Sequence, residues 1–282
     1  MARKLFCEWS PLTYRISVAK GCLVRRLRDA ASRTDFASQR QPDQPLPILV
    51  YEHQSLIRRQ LAGVDMDLQE GKAINLALAA PKVNGIMLRP GQTLSFWRLI
   101  GRHGAKDGYQ LGLTIGPGGP DKDIGGGMCQ FTNLLHWLVL HSPLTVAEYH
   151  HHNSVDLFPD FDRHVPFGVG TSIAYNYVDY RVTNPTDATF QFLVHTTDTH
   201  LVGELRTETE LPHTYQVEER EARFVRCPDG VHRRNAVYRV TTDRASGTTI
   251  KEELVAQADA KIMYDEALVA VPIIEADAVP SK

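Results

Sequence analysis

The residues best suited to chemistry in this chain are Cys129 and the glycines ahead of it, in Ile124-Gly125-Gly126-Gly127-Met128-Cys129-Gln130. Three consecutive glycines let a backbone take positive φ and approach another group closely, which a side-chained residue does at a cost. Behind the cysteine, Phe131, Leu134, Leu135 and Leu138 recur at i, i+3, i+4 and i+7, so a helix is expected to begin at or just before Cys129. A thiol there meets unpaired amides and the positive end of the helix dipole, which favour thiolate and create an oxyanion site at Gly127 to Gln130. The competing reading is a tight turn with a buried, inert cysteine.

A nucleophilic cysteine needs a base and a group to orient it. Twelve histidines are available. His136 shares a face of the expected helix with Cys129 but lies about 10 Å along its axis, and His141 at the helix end is placed to meet the negative end of the dipole. The cluster Glu148-Tyr149-His150-His151-His152-Asn153 is better situated. In an extended segment Glu148, His150 and His152 share one face, and Tyr149 and His151 share the other. That first face can supply a base with Glu148 or His150 as orienting group. It is also where a metal would be sought, with Cys129 as a soft ligand. No HExxH or CxxC spacing supports that, so neither a metal nor another cofactor is assigned.

The elements that must position these groups read as an α+β chain, mainly antiparallel sheet around the helix that starts at Cys129. The first forty residues form a basic block, with Arg3, Lys4, Arg15, Lys20, Arg25, Arg26, Arg28, Arg33 and Arg40 against Glu8, Asp29 and Asp35. An amphipathic helix is expected from Tyr14 to Ala31. It can lie on an anionic membrane or pack on the main domain, and packing is favoured because its apolar face lacks Trp or Phe, with Trp9 and Phe36 just outside. Gln39 to Pro47 reads as a Pro-rich extended linker. Strands are expected at 48–51, at 93–97, from Leu144 to Tyr149 and from Thr171 to Thr183. The last of these forms a hairpin with 189–196 through Asn184-Pro185-Thr186-Asp187, followed by a strand at 201–206. A helix is expected at 74–84, ended or kinked by Pro81. The glycine-rich stretch 101–119 is a loop without a phosphate-binding ending. A β-rich extension covers 207–274, and 275–282 is expected to be disordered.

Charge and length set outer limits. A formal charge of -2 and a pI near 6.6 argue against nucleic acid as a partner. Four scattered cysteines suit a reducing compartment. No apolar run reaches the roughly 18 residues of a membrane span, and no signal-peptide core follows Arg3 and Lys4, so a cytoplasmic address is expected.

Gly-Gly-Gly-Met-Cys-Gln-Phe-Thr-Asn-Leu-Leu from Gly125 to Leu135 resembles the glycine-glycine-glycine-X-Cys-Gln signature of VanW domains. Arg89-Pro90-Gly91-Gln92-Thr93-Leu94-Ser95-Phe96, Asp107-Gly108-Tyr109, His152-Asn153 and the segment Tyr175 to Asn184 resemble further family elements in the same order. The resemblance covers 48–206. It implies an association with the cell wall or glycopeptide resistance, and for some wall-attached members an L,D-transpeptidase activity on a peptidoglycan-type peptide or precursor. Carried over, Cys129 is the nucleophile and His152 its base, while Ser95 and Asp179 join Gly125, Gly126, Gly127, Met128 and Gln130 as candidate substrate-binding residues. One position departs. Gly168-Val169-Gly170-Thr171 stands where many members carry Gly-X-Asp-Ala, so Glu148, Asp156 or Asp179 would have to stand in for the missing carboxylate.

Overall fold

A computed structural model of the chain describes residues 5–59, 65–116, 119–151, 155–157, 159 and 165–275. It is α+β, with mostly antiparallel pairing. Helix α1 (Pro11–Ala31) opens on a capping box between Ser10 and Thr13, with Pro11 at the first helical position. Strand β1 (Ile48–Leu56) follows, then α2 (Met66–Val83), β2 (Ile86–Leu88), β3 (Thr93–Ser95) and the short α3 (Phe96–Ile100). A hairpin of β4 (Leu111–Gly116) and β5 (Gly119–Ile124) delivers the chain to α4 (Met128–Leu140). Beyond it run β6 (Thr145–Glu148), β7 (Val155–Asp156), β8 (Arg181–Thr183), β9 (Phe190–Thr196) and β10 (His200–Thr207). The chain then forms a long meander of β11 (His213–Cys227), β12 (Gly230–Asp243) and β13 (Thr249–Ile262), and closes with β14 (Ile273–Glu275).

Helix α4 lies against a four-stranded sheet in the order β1-β10-β9-β2. Phe131, Leu134, Leu135 and Leu138, the residues whose spacing predicts the helix, are buried in the main core. Each is worth roughly 1.5–3 kcal/mol of burial. Leu134 and Leu138 press so closely on β10 that a side chain at Gly203 would fall 2.9 Å from a Leu134 methyl. The other edge of α4 bears Trp137 and Leu140, which meet Val169 and Val237 and so join the helix to the sheet β14-β11-β12-β13-β7. A third sheet, β3-β8-β6, holds the segments that surround the candidate site.

Several expectations change. Helix α2 starts well before Ile74, because the Asp65 carboxylate caps the amide of Asp67 at 3.0 Å. It also passes through Pro81, which sits in the last turn, where one missing donor is tolerated, and Asn84 still closes onto the Ala80 carbonyl at 2.9 Å. The strand at 93–97 stops at Ser95, whose hydroxyl caps α3 through the Arg98 amide. The span from Thr171 to Thr183 is not one strand. Asn176 takes a left-handed conformation (φ 61°), and Ala174 and Val178 close a tight turn around it, leaving Arg181–Thr183 to pair with β3 and β6. The expected hairpin with β9 is therefore absent, and β9 pairs with β10 and β2. The Pro-rich linker is tied down, with the Gln41 amide donating to Gly85 at 2.8 Å and the Gln191 side chain donating to the Gln41 carbonyl at 2.7 Å. Glu275 belongs to β14, and the expected disordered tail beyond it lies outside the described residues.

Helix α1 has no buried residue, yet it is docked. Arg25 grips Glu148 with two bonds of 2.6 Å, and Asp29 receives two of 2.8 Å from Arg181. Gly21 lets the backbone lie against the Tyr177 ring, where a Cβ would come within 3.2 Å. Among the described residues, no helix is long and apolar enough to cross a membrane.

Candidate functional site

The turn before α4 is a packing joint. Gly125 (φ 81°) and Gly127 (φ 110°, the helix N-cap) take conformations that penalise any side chain. A Cβ on Gly125 would sit 3.2 Å from the His103 carbonyl oxygen and closer still to its imidazole. One on Gly126 would sit 2.8 Å from Gly112 Cα and closer still to its carbonyl, and one on Gly127 would sit 2.6 Å from Lys72 Cγ. Asn75 clamps the joint. Its Nδ2 donates to the Gly126 and Gln110 carbonyls at 2.9 Å each, and its Oδ1 accepts from the Gln110 amide at 2.7 Å. The three glycines are buried, Met128 is part of the core, and the Gln130 side chain is drawn to β1, donating to Ser55 Oγ and the Leu56 carbonyl at 2.9 Å each. Thus their side chains, or lack of them, are explained by packing, and what they offer a ligand is backbone.

Cys129 stands in the first turn of α4, with no side chain capping the helix and no acidic residue in that turn. The residue is partly exposed, but its sulfur is enclosed. Burial pushes the thiol up, and the backbone of Ile173 opposes that without overcoming it. Burial thus shifts the thiol in the direction opposite to the depression that a helix terminus favours. The cover is knit to the helix by Thr171, whose amide and hydroxyl both donate to Asn133 Oδ1 (2.6 and 2.8 Å) and whose hydroxyl meets that of Thr132.

The histidine cluster alternates as the sequence predicts. His150 Nε2 is 3.2 Å from Glu148 Oε1, while Tyr149 and His151 stack on the opposite side with ring centres 6.0 Å apart. His152 lies outside the described residues. His151 Nδ1 is held by the Gly170 carbonyl at 2.7 Å, and Tyr149 donates its hydroxyl to the same oxygen at 2.9 Å. Tyr149 also stacks on His136, at 4.7 Å between ring centres. His136 is turned into the core, with Nδ1 3.2 Å from the Tyr180 hydroxyl and its pKa pushed down to about 3 by burial and by His151. His141 meets the Trp137 carbonyl with Nδ1 at 2.8 Å, the helix-end role its position predicts.

Of the three stand-in carboxylates, Asp179 and Asp156 have partners outside the histidine cluster, while Glu148 meets His150 as well as two arginines. Asp179 is buried, takes bonds from Ser95 Oγ, the Trp97 and Tyr180 amides and Arg181, and so fixes the start of α3. Ser95 and Asp179, expected among the substrate-binding residues, are both buried, and the Ser95 hydroxyl donates to Asp179. Asp156 receives the Tyr264 hydroxyl at 3.0 Å and lies 3.5 Å from Arg233 in the C-terminal sheet. Glu148 is held by Arg25, by the Asp179 amide at 3.0 Å and by Arg181 at 3.5 Å. Burial works to raise its pKa, but the Asp179 amide, Arg25 and His150 outweigh that and hold it low. Among the described residues, no group of three or more His, Cys, Asp or Glu is placed to hold a metal ion.

Two further residues join the site that sequence reasoning passed over. Lys72 is buried against Gly127 at the head of α4, its amine pushed down to about 8 by desolvation and by Arg59 and Arg58. The apolar pattern alone starts the helix at Ile74 and so leaves Lys72 out, whereas the i, i+3 spacing from Gln69 puts it on the buried face. His103 packs over Gly125 and stacks on Trp97 at 4.9 Å and against Tyr175 at 4.9 Å. Its Nδ1 is buried without a hydrogen-bond partner, and burial lowers its pKa. No periodic signal marked it within the glycine-rich stretch.

This combination defines an α+β protein with a cysteine-led helix behind a glycine joint, packed against a histidine-bearing segment that follows a short strand. A family model described as VanW like protein matches residues 71–206. The chain is 35% identical over 223 residues to the vancomycin B-type resistance protein VanW of Enterococcus faecalis, covering 79% of this chain and 80% of that one. It therefore belongs to the VanW family. It is also 26% identical over 116 residues to the uncharacterized protein YoaR of Bacillus subtilis, covering 41% of this chain and 36% of that one. No solved structure matches.

Proposed function

We propose that this VanW-family protein is a cysteine-dependent acyl transferase acting on a peptidoglycan-type peptide, in the service of glycopeptide resistance. The observation that carries the reading is Cys129 itself, in the first turn of a helix capped by backbone alone. A histidine, His152 by its family position, takes the thiol proton as the sulfur attacks a peptide carbonyl. The backbone amides from Gly127 to Gln130 receive the developing oxyanion, and Lys72 beside Gly127 makes that end of the helix more positive. Collapse breaks the C–N bond, the imidazolium returns its proton to the leaving amine, and a thioester remains for a second amine or water. On the expected cytoplasmic address, the substrate of this proposal is a wall precursor rather than cross-linked wall.

The resting thiol, raised by burial, favours a second reading in which the same surface binds a peptide without chemistry. Intact-mass measurement with acyl-donor peptides separates the two. The transferase gives a thioester adduct in wild type and none in Cys129→Ala, whereas peptide binding that is equal in both proteins with no adduct in either supports the binding module and sinks the transferase.

A further inference from the structure

Helix α1 meets the domain with its polar edge and turns its apolar edge to solvent. Gly21, Cys22, Arg25 and Asp29 lie on the docked side, with Cys22 Sγ donating to the Tyr175 carbonyl at 3.4 Å beside the two ion pairs already described. At 3.6 residues per turn, Leu12, Ile16, Ala19, Leu23 and Leu27 fall in one stripe on the other side. Leu12, Leu23 and Leu27 are each about 60% exposed (66%, 58% and 62%) and Ile16 49%. Just ahead of the helix, Phe6 and Trp9 are also exposed, their rings edge to face at 5.4 Å. These two supply the aromatic anchors that the helical stripe lacks. Single exposed leucines need no explanation, but a continuous stripe on a 21-residue helix does.

The charges frame that stripe. Arg15 and Arg26 flank it on one side, and Lys20 and Arg28 on the other, all four exposed. Along the second side runs a groove of about 280 Å³ between α1 and Tyr177, lined by Ser17, Lys20, Val24 and Arg28. The helix has one acidic residue, Asp29, and that is consumed by Arg181. A second copy of the helix would bring like charges together along both edges of the stripe, whereas an anionic lipid surface neutralises them while the apolar side chains enter the acyl boundary. We propose that α1 is an in-plane anchor for an anionic bilayer, with the leucine stripe inserted and the Arg25 and Asp29 side still holding the domain. The 173–180 segment, which contacts both α1 and Cys129, then sits one helix diameter (about 10 Å) from the headgroups.

The test is vesicle flotation with the full chain, using phosphatidylcholine alone and phosphatidylcholine mixed with phosphatidylglycerol. Binding is expected to the mixed vesicles and to weaken with salt. The Leu12→Glu, Leu23→Glu, Leu27→Glu variant, whose side chains are exposed and so leave the circular dichroism spectrum unchanged, is expected to lose at least roughly tenfold in partitioning. Arg15→Gln and Arg26→Gln should each lose about fivefold, on the mixed vesicles alone. Absence of binding to mixed vesicles at low salt, or equal binding by the folded triple glutamate variant, overturns the proposal. So does a dimer in light scattering that Leu23→Glu dissolves and vesicles fail to compete away, which assigns the stripe to a second copy.

Discussion

If the glycine turn is a packing joint, then Gly126→Ala is a stability mutation before it is a functional one. Its added methyl would fall 2.8 Å from Gly112 Cα and nearer still to the Gly112 carbonyl, against the roughly 3.5–4.0 Å that two carbons need. Both neighbours are backbone, so no rotamer change relieves the overlap. The strand β4 must move away from the head of α4, and the Asn75 clamp resists that through its bonds to Gly126, Gln110 and the Gln110 carbonyl. Overpacking of about 1–3 kcal/mol and about 1 kcal/mol for a weakened clamp bond give a loss of roughly 2–4 kcal/mol. At about 2–4 °C per kcal/mol for a chain of this size, Tm falls by roughly 5–15 °C. Two controls calibrate the measurement. Gly91 has nothing within 4 Å of its Cβ position but a φ of 76°, so Gly91→Ala should cost about 1 kcal/mol of backbone strain alone. Gly170→Ala has neither constraint, its nearest neighbour being Asn133 Oδ1 at 3.9 Å, and should be close to neutral. Thermal melts and urea titrations of the three variants rank them. A Gly126→Ala protein as stable as wild type would refute the packing argument and return the turn to a ligand.

Acid titration of stability should show His136. Because its folded pKa, about 3, lies below the unfolded value near 6.5, the unfolded chain alone takes up the proton, and stability is lost as pH falls below about 6.5, at about 1.4 kcal/mol per unit. His136→Asn, which keeps a partner for Tyr180, should flatten that limb by one proton in urea melts across pH. Glu148 acts in the same direction over a lower window: with its folded pKa held low, its contribution is present above about pH 4.3 and is lost as pH falls. Glu148→Gln should loosen α1 by about 1–3 kcal/mol, seen as faster tryptic cleavage at Arg25 to Arg28 without a matching drop in the core transition. Lys72→Met removes a buried ammonium whose pKa is about 8, so stability at pH 7 should rise by roughly 1–3 kcal/mol, and the gain in stability that wild type shows between about pH 8 and 10.4 should vanish.

What could be read in advance follows from how local each signal is. The head of α4 was legible because three glycines abut an apolar repeat, and the two faces of 148–151 because strand alternation needs no long-range partner. The extended reading of 171–183 failed at Asn176, where alternating side chains concealed a left-handed residue. The start of α2 was missed because a single capping carboxylate, Asp65, extends the helix through Gly71 and Lys72. The docking of α1 was expected, but not its sense: ion pairs to Glu148 and Arg181, more than a hundred residues away, make the polar edge the inner one.

The same distance dependence governs the cysteine. A helix terminus lowers a thiol pKa by a local field, and that much is visible in the order of residues around Gly127. The opposing contribution is burial of the sulfur in the folded chain, which makes charge costly there, and the backbone of Ile173, some forty residues on, offsets only part of it. Histidines around the site are shifted toward neutrality by the same burial, His103 and His136 both downward. At position 170 this chain presents a backbone carbonyl to His151. A carbonyl orients an imidazole and fixes its tautomer, but it carries no full charge to stabilise imidazolium. Burial thus favours the neutral form of the Cys129 thiol and of the His103 and His136 imidazoles. The proposed chemistry at Cys129 then requires that a bound peptide bring its carbonyl to the sulfur while the proton moves, so that charge develops on the oxyanion at the helix terminus and not on the resting thiol.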